Sequence, residues 1–474
     1  MITLGVDLGT GSVKVAAIDD RGRLLARAER PYPIVSSQPG WVESDPAQWQ
    51  AAAHAAADEV LGALSGPVAA VGFAGQMHGV VLSDGAGGSL GPAILWADRR
   101  ASREAALLAE AGRDRLARLG SPAVPGFAAT TLAWLQRHRS DLLAQAAYAL
   151  QPKDWLRVAL GGSVATDTSD ATGTLLCEIA ASRWDDDVVG WTGIRPSLLP
   201  PILAATDGAG SVELAGRTMP AVVGGADTAC MIVGLGWADG FIAVGTGAQV
   251  VCARIGPQPD HTLRTHTFAE AGPAGCGWYR LGAVQNAGLA LTSALRLLAA
   301  TPAEAYAALG EDVKASDPLF IPYLAGERTP FMDEQLHGGW QDVTRSTDRP
   351  ALLRSVLEGI AHAIDLGRQA VQATGVAMPQ PIPLIGGGAH DPRFRRLLAD
   401  VTGCTLLGGA RPDAAAIGAA TLAQGRIRCL DPGASPSVVM PRSPSHALLR
   451  ERQQRMVAAV ADQQASMQRR GVES

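Results

Sequence analysis

The chain has 474 residues, beyond the ~250–300 at which a single core usually stops growing, so two domains are expected. Its 47% hydrophobic and 18% charged residues, with 55 Gly and 30 Pro, suit a soluble globular enzyme and exclude a disordered or fibrous chain. A formal net charge of −5 without any Lys/Arg block argues against nucleic acid and against an anionic membrane surface as partners.

Of the 40 basic residues only Lys14, Lys153 and Lys314 are lysine. With the abundant alanine, this reads as base-composition bias rather than an RNA-binding surface. The six cysteines (177, 230, 252, 276, 404 and 429) show no C-x-x-C pair and no metal-ligand spacing with His, which predicts reduced, buried thiols in a cytoplasmic protein. The start Met1-Ile2-Thr3-Leu4-Gly5-Val6-Asp7 lacks a basic segment and meets an acid early, unlike a signal peptide, and no apolar run is long enough to span a membrane.

Residues 2–8 are apolar and run into Asp7-Leu8-Gly9-Thr10-Gly11-Ser12. Val13–Ile18 and Leu24–Glu29 are again strand-like, parted by the turn Asp19-Asp20-Arg21-Gly22, so three antiparallel strands are predicted. Asp45-Pro46-Ala47-Gln48 predicts a helix through Leu64, with Asp45 as N-cap, Pro46 as first helical residue and Gln48 as capping-box partner. Val68–Ala74 reads as a buried strand left through Gly75-Gln76-Met77-His78-Gly79. The pattern is α/β, with an antiparallel edge on a sheet that becomes parallel.

An internal repeat follows. Phe241–Ala248 and the apolar Val250–Ala253 copy the organisation of Val6–Val15, and Leu8-Gly9-Thr10-Gly11 aligns with Val244-Gly245-Thr246-Gly247. Two strand–GTG–strand hairpins, each opening one half, predict a duplicated domain. Met219–Gly224 reads as a strand before the second copy, with Gly224-Gly225-Ala226-Asp227 turning into a helix. The expected units are 1–218, 219–430 and a C-terminal tail 431–474 whose residues 446–470 form an exposed polar helix.

Gly9, Thr10, Gly11 and Ser12, like Gly245, Thr246 and Gly247, can present backbone N–H groups and a hydroxyl to phosphate oxygens, or serve only as tight turns. Two copies in register favour phosphate, because facing turns clamp a polyphosphate from both sides. Asp7, whose counterpart is Ala243, suits Mg²⁺ through water or caps the strand end. Lys14 either reaches a phosphate or sits on the solvent face. Asp227 is either a helix N-cap or a carboxylate in a cleft at the domain junction. The turn at Gly387, Gly388 and Ala389, after the strand Ile382–Ile385, either bares backbone to an adenosine or packs a helix on its strand.

These residues resemble the FGGY carbohydrate kinases of the actin/hexokinase superfamily, starting with Gly5-Val6-Asp7-Leu8-Gly9-Thr10-Gly11. Gly75–Gly79, Ile94-Leu95-Trp96-Ala97-Asp98, Pro125-Gly126-Phe127, Pro152-Lys153-Asp154, Ser169–Thr174, Gly224–Asp227 and Pro322–Pro330 resemble its xylulose-phosphorylating branch. The blocks span residues 1 to about 425.

The resemblance implies two duplicated actin-like, ribonuclease H-like ATPase domains with a cleft between them, ATP and Mg²⁺, and transfer to the 5-hydroxyl of D-xylulose. It implies Asp227 as base, Met77 and His78 as sugar contacts with Trp96 and Thr228 beside them, and Asp7 as the metal-proximal acid. Thr228 stands where Asn is common, Thr131 where Lys is usual and Asp342 where Gly is usual. A kinase of another pentulose or polyol is the nearest alternative. A non-catalytic nucleotide switch of the same fold is the rival of another class. A homodimer is compatible with the sequence.

Overall fold

Each repeated hairpin is the centre of its own mixed sheet in the computed structural model, which describes residues 1–273, 275–409, 413–425 and 437–472. In the first sheet Ile2–Leu8, Ser12–Ile18 and Leu24–Pro31 form an antiparallel meander. Val68–Gly75 lies parallel on the other side of Ile2–Leu8, followed by the parallel strand Arg217–Val222 and the antiparallel edge Gly208–Leu214. In the second sheet Gly240–Val244, Ala248–Ile255 and Trp278–Val284 repeat the meander. Ile382–Ile385 and Leu406–Gly408 then run parallel, with Ser437–Val439 antiparallel at the edge. The duplication read from the glycine turns therefore extends to whole-sheet topology.

The strand expected to open the second half belongs to the first. Ala221 registers with Val71, and Gly225–Ala226 with Ala74–Gly75. The apolar side chains Met219 and Ala221 join the core of Val71 and Phe73, so hydrophobic burial holds this strand to the sheet before it. The chain crosses over after the helix Asp227–Gly234 and reaches the second sheet at Gly240. The expected boundary at 218 moves to between 234 and 240, and the one at 430 lies outside the described residues, as does Cys429.

Local signals explain the helices. Asp45 caps Pro46–Gly62 by accepting from Ala47 N–H at 3.0 Å, while Gln48 gives its main-chain N–H to Asp45 O (3.0 Å), so the cap forms without the reciprocal half of the box. Two helices cross between the sheets. Ala414–Ala423 packs on Asp227–Gly234 and also on Ile2–Leu8 and Val68–Gly75. A Cβ on Gly234 would lie 1.9 Å from Ala414 O, and one on Gly418 would lie 1.9 Å from Cys230 O. Bare backbone at both positions is what lets the helices touch.

The C-terminal helix Ser443–Val472 is not the exposed element the polar composition suggests. Leu449, Met456 and Val460 are buried on the second core. Arg452 is buried too, pairing with Glu358 at 2.5 Å and donating to Pro318 O at 2.9 Å. Long polar side chains thus anchor a helix whose apolar stripe is narrow. Asp342 adopts φ +59°, the left-handed region, which accounts for glycine as the usual residue there, and its carboxylate meets Arg455 at 2.5 Å.

Candidate active site

A cleft of about 1380 Å³ runs between the two sheets. Asp7, Thr10, Lys14, Met77, His78, Trp96, Asp227, Gly245, Thr246, Gly247, Gly387 and Ala389 all line it. Five other candidates do not form its wall. Gly9, Gly11 and Ser12 shape the first turn behind Thr10, with Ser12 Oγ turned to Glu29 at 2.6 Å. Gly388 packs on Val244. Thr228 is fully buried behind Asp227.

At one end the strand Ile2–Leu8 delivers Asp7, paired across the hairpin with Lys14. The first turn is braced by Gly9 N–H to Ser12 O (3.0 Å), by Tyr32 O–H to Gly9 O, and by Gln76 N–H to Leu8 O (2.8 Å). Burial pushes the Asp7 carboxyl up to about 7, Lys14 opposing and Asp227 adding to the rise. Asp7 Oδ1 is buried and accepts no hydrogen bond among the described residues, and Lys14 makes no ion pair among them. Opposite stands the second turn, one residue tighter, its Gly245 and Thr246 carbonyls accepting from Gly288 N–H (3.0 Å) and Leu289 N–H (2.9 Å). At the third turn Gly386 has φ +90°, and a Cβ on Gly387 would meet nothing within 4 Å, leaving open backbone toward the cleft.

Asp227 is the first residue of its helix, whose N-cap position falls on Ala226. Its Oδ1 accepts from Thr228 N–H at 2.6 Å, and Thr228 Oγ1 lies 3.1 Å from it and 3.3 Å from Gln249 Oε1. Burial pushes the Asp227 carboxyl up to about 6, the Thr228 bonds holding it back. A half-buried carboxylate poised near neutrality, open to a cleft, can take a proton from an alcohol. Gln249 is the missed member: it occupies the place of Lys14 in the second hairpin and faces the cleft beside Asp227.

His78 has φ +75° and stacks on Phe127, centroids 3.7 Å apart. Burial drives its imidazole down to about 3, the Gly173 contact opposing and Arg328 assisting. The ring is therefore neutral. Its Nδ1 lies 2.6 Å from Gly173 O; a carbonyl only accepts, so Nδ1 carries the hydrogen and Nε2 is left as an acceptor. Met77 Sδ takes the hydroxyl of Tyr279 at 3.6 Å. Trp96 donates Nε1–H to Thr10 Oγ1 at 3.0 Å, tying the two ends of the cleft together.

Beneath both loops lies a buried charge cluster. Lys153 Nζ meets Asp154 (2.6 Å), Asp167 (3.1 Å) and Asp170 (3.1 Å), all inaccessible to solvent. Ser169 Oγ donates to Asp167 at 2.5 Å and accepts Ala226 N–H at 2.9 Å. A Cβ on Gly75 would press 2.8 Å from Lys153 Cβ. One platform thus fixes the backbone entering His78 and the backbone entering Asp227. Glu327 and Arg328 also reach the cleft, from the Pro322–Pro330 block that carried the resemblance but no assigned role.

Two duplicated α/β lobes with glycine turns, a buried acid and a poised carboxylate on one cleft define an actin-like phosphotransferase. The crystal structure of a xyloylose kinase from Brucella ovis matches at a TM-score of 0.90 and 31% identity, covering 98% of this chain and 100% of that one. A gluconate kinase from Lactobacillus acidophilus shares the fold at a TM-score of 0.87 and 22% identity, covering 97% of each chain. Residues 2–234 match the N-terminal domain, and residues 240–424 the C-terminal domain, of the FGGY family of carbohydrate kinases. The xylulose kinase of Escherichia coli (strain K12) is 34% identical over 438 residues, 89% of each chain. The chain belongs to the FGGY family of carbohydrate kinases, and as a kinase it uses ATP. Among the described residues no helix is long and apolar enough to cross a membrane.

Proposed function

We propose that this kinase transfers the γ-phosphoryl group of ATP to the 5-hydroxyl of D-xylulose. The observation that carries the reading is the convergence of Asp227, neutral His78 and three glycine turns on a single cleft. Kinship with the Escherichia coli xylulose kinase at 34% identity supports the choice of sugar.

Asp227 accepts the hydroxyl proton as the new O–P bond forms, since its carboxyl, held near 6 by burial, is ionised at neutral pH. His78 Nε2 accepts a hydrogen bond from a sugar hydroxyl, and Met77 with Phe127 supplies the apolar floor. The Gly245–Gly247 turn, Thr10 and Lys14 receive the polyphosphate, and Gly387 with Ala389 receives the adenosine. Phosphoryl transfer asks a protein mainly for in-line positioning and charge neutralisation, which these groups provide. The unpartnered Oδ1 of Asp7 fits a cation, so Asp7 would hold Mg²⁺ through water. When bound, that ion neutralises phosphate charge.

A panel of pentuloses, hexuloses and polyols, assayed by ADP release, tests the reading. D-xylulose should show the highest kcat/KM. Another sugar in first place would overturn the substrate and leave the kinase.

A further inference from the structure

Two cations in the cleft lack a protein acceptor among the described residues. Lys14 sits with the phosphate-side turns. Arg328 does not: its guanidinium lies over the Trp96 ring, 5.3 Å from the centroid, and makes no hydrogen bond or ion pair to any described group. Its backbone is held firmly. Arg328 N–H donates to Glu327 Oε1 at 2.7 Å, and the same carboxylate accepts Gln285 N–H at 2.6 Å and Asn286 Nδ2 at 3.2 Å. Thr329 N–H bonds Ala283 O at 2.9 Å. A rigid loop thus aims a guanidinium into a partly dehydrated cleft, where a charge without acceptors is costly. A ligand oxygen is the missing acceptor.

Which oxygen follows from the neighbours. Arg328 depresses the titration of His78 and His266, with burial the larger cause for both, and is absent from the influences on Asp227. Its seat over the Trp96 ring puts it in the same cleft wall as His78; with Asp227 taking the proton of the reacting hydroxyl, as proposed above, Arg328 and His78 are left to the other end of the sugar. At that end His78 Nε2 can only accept and a guanidinium can only donate. The complement of such a pair is a carbonyl beside a hydroxyl: the carbonyl oxygen accepts from Arg328 and the hydroxyl donates to His78. A carboxylate would satisfy Arg328 but offer His78 no proton, and an alditol would replace the carbonyl with a hydroxyl that has its own proton to place.

We infer that Arg328 is a specificity-determining residue that, with His78, reads the α-hydroxyketone end of a ketose. The inference rests on the sugar-kinase reading but not on which ketose is used.

The test compares D-xylulose with xylitol, which differs only at C2, in the wild-type enzyme, Arg328→Met and Arg328→Lys. A hydrogen bond from a charged donor is worth roughly 10- to 100-fold. Arg328→Met should lower kcat/KM for the ketose by about that factor and for the alditol by less than about fivefold, with KM for ATP unchanged. Arg328→Lys keeps the charge but loses the fork, so the ketose/alditol ratio should fall by several-fold; it carries the test if the methionine variant does not fold. Equal losses on both substrates, or a raised KM for ATP with the ratio intact, would overturn the inference, the second assigning Arg328 to phosphate. If the wild-type enzyme takes another ketose, the ratio is measured with that ketose and its alditol, so the xylulose reading falls alone. A wild-type enzyme that does not favour a ketose over its alditol overturns the role of Arg328 and leaves the kinase standing.

Discussion

Asp227 and Asp7 are held above the ordinary carboxylate range by burial, at about 6 and about 7. The folded protein therefore binds these protons more tightly than the unfolded chain, and the stability they contribute is complete below about pH 4 and lost as pH rises through those values. Asp227→Asn should accordingly hold or raise Tm in metal-free buffer at pH 8, since asparagine keeps an acceptor for Thr228 N–H and brings no charge to bury. Activity runs the other way, because only the carboxylate is a base: kcat/KM should climb through about pH 6. Thr228 tunes that limb. Its hydroxyl lies 3.1 Å from Asp227 Oδ1 and its side chain is fully buried. Thr228→Val should shift the acid limb upward by up to about one unit, as a lost hydrogen bond to the charged form does. The D-xylulose/D-ribulose ratio should stay put; a changed ratio with an unmoved limb would return Thr228 to the sugar site. Asp227, His78 and the glycine turns stand out in the sequence as short local strings, and the fold brings them to one cleft. The burial of Thr228 was not legible, since its neighbours, Gln249 among them, come from elsewhere in the chain.

The crossing helices are the element most hidden in the sequence. Asp227–Gly234 reads as a short helix after a turn, and Ala414–Ala423 as a featureless run of small residues. Periodicity gives each a helical face but names no partner, and the partner is half a chain away. Their contact is what makes an alanine-rich segment informative, since each helix meets the other through a glycine. Gly418→Val should drive a side chain into Cys230 O, 1.9 Å from an ideal Cβ, costing about 1–3 kcal/mol or more as overpacking. Turnover should fall with Tm because Asp227 begins the displaced helix. Gly62→Ala, where an added Cβ meets nothing within 4 Å, should leave both intact. Equal melts for the two variants would show the crossing to be loose. The C-terminal helix failed to read correctly for a related reason: Arg452 and Gln453 look solvent-facing until Glu358 and Asp365 supply their partners.

At the scale of the molecule, the two sheets divide the chemistry between them. Asp7, Lys14 and His78 hang from the first, the second and third glycine turns from the second, and Asp227 from the helix that joins them. The duplication was legible because both hairpins repeat the same string; the strand Arg217–Val222 was misassigned because its alternation, with Met219 and Ala221 inward and the residue before each exposed, marks a strand but not the sheet it joins. Ligands that touch both halves favour the closed arrangement by differential binding. D-xylulose with a non-hydrolysable ATP analogue should therefore lower the radius of gyration in small-angle scattering, and an unchanged radius at saturation would indicate a preformed site. The most direct measurement is ADP release by the purified protein with Mg-ATP, with and without D-xylulose, alongside Asp227→Asn. The expected result is release that depends on the sugar and falls by about 10²–10⁴-fold in the variant, with binding of the ATP analogue retained. Release indifferent to the sugar, or a variant within a few-fold of wild type, would contradict a sugar kinase that uses Asp227 as its base.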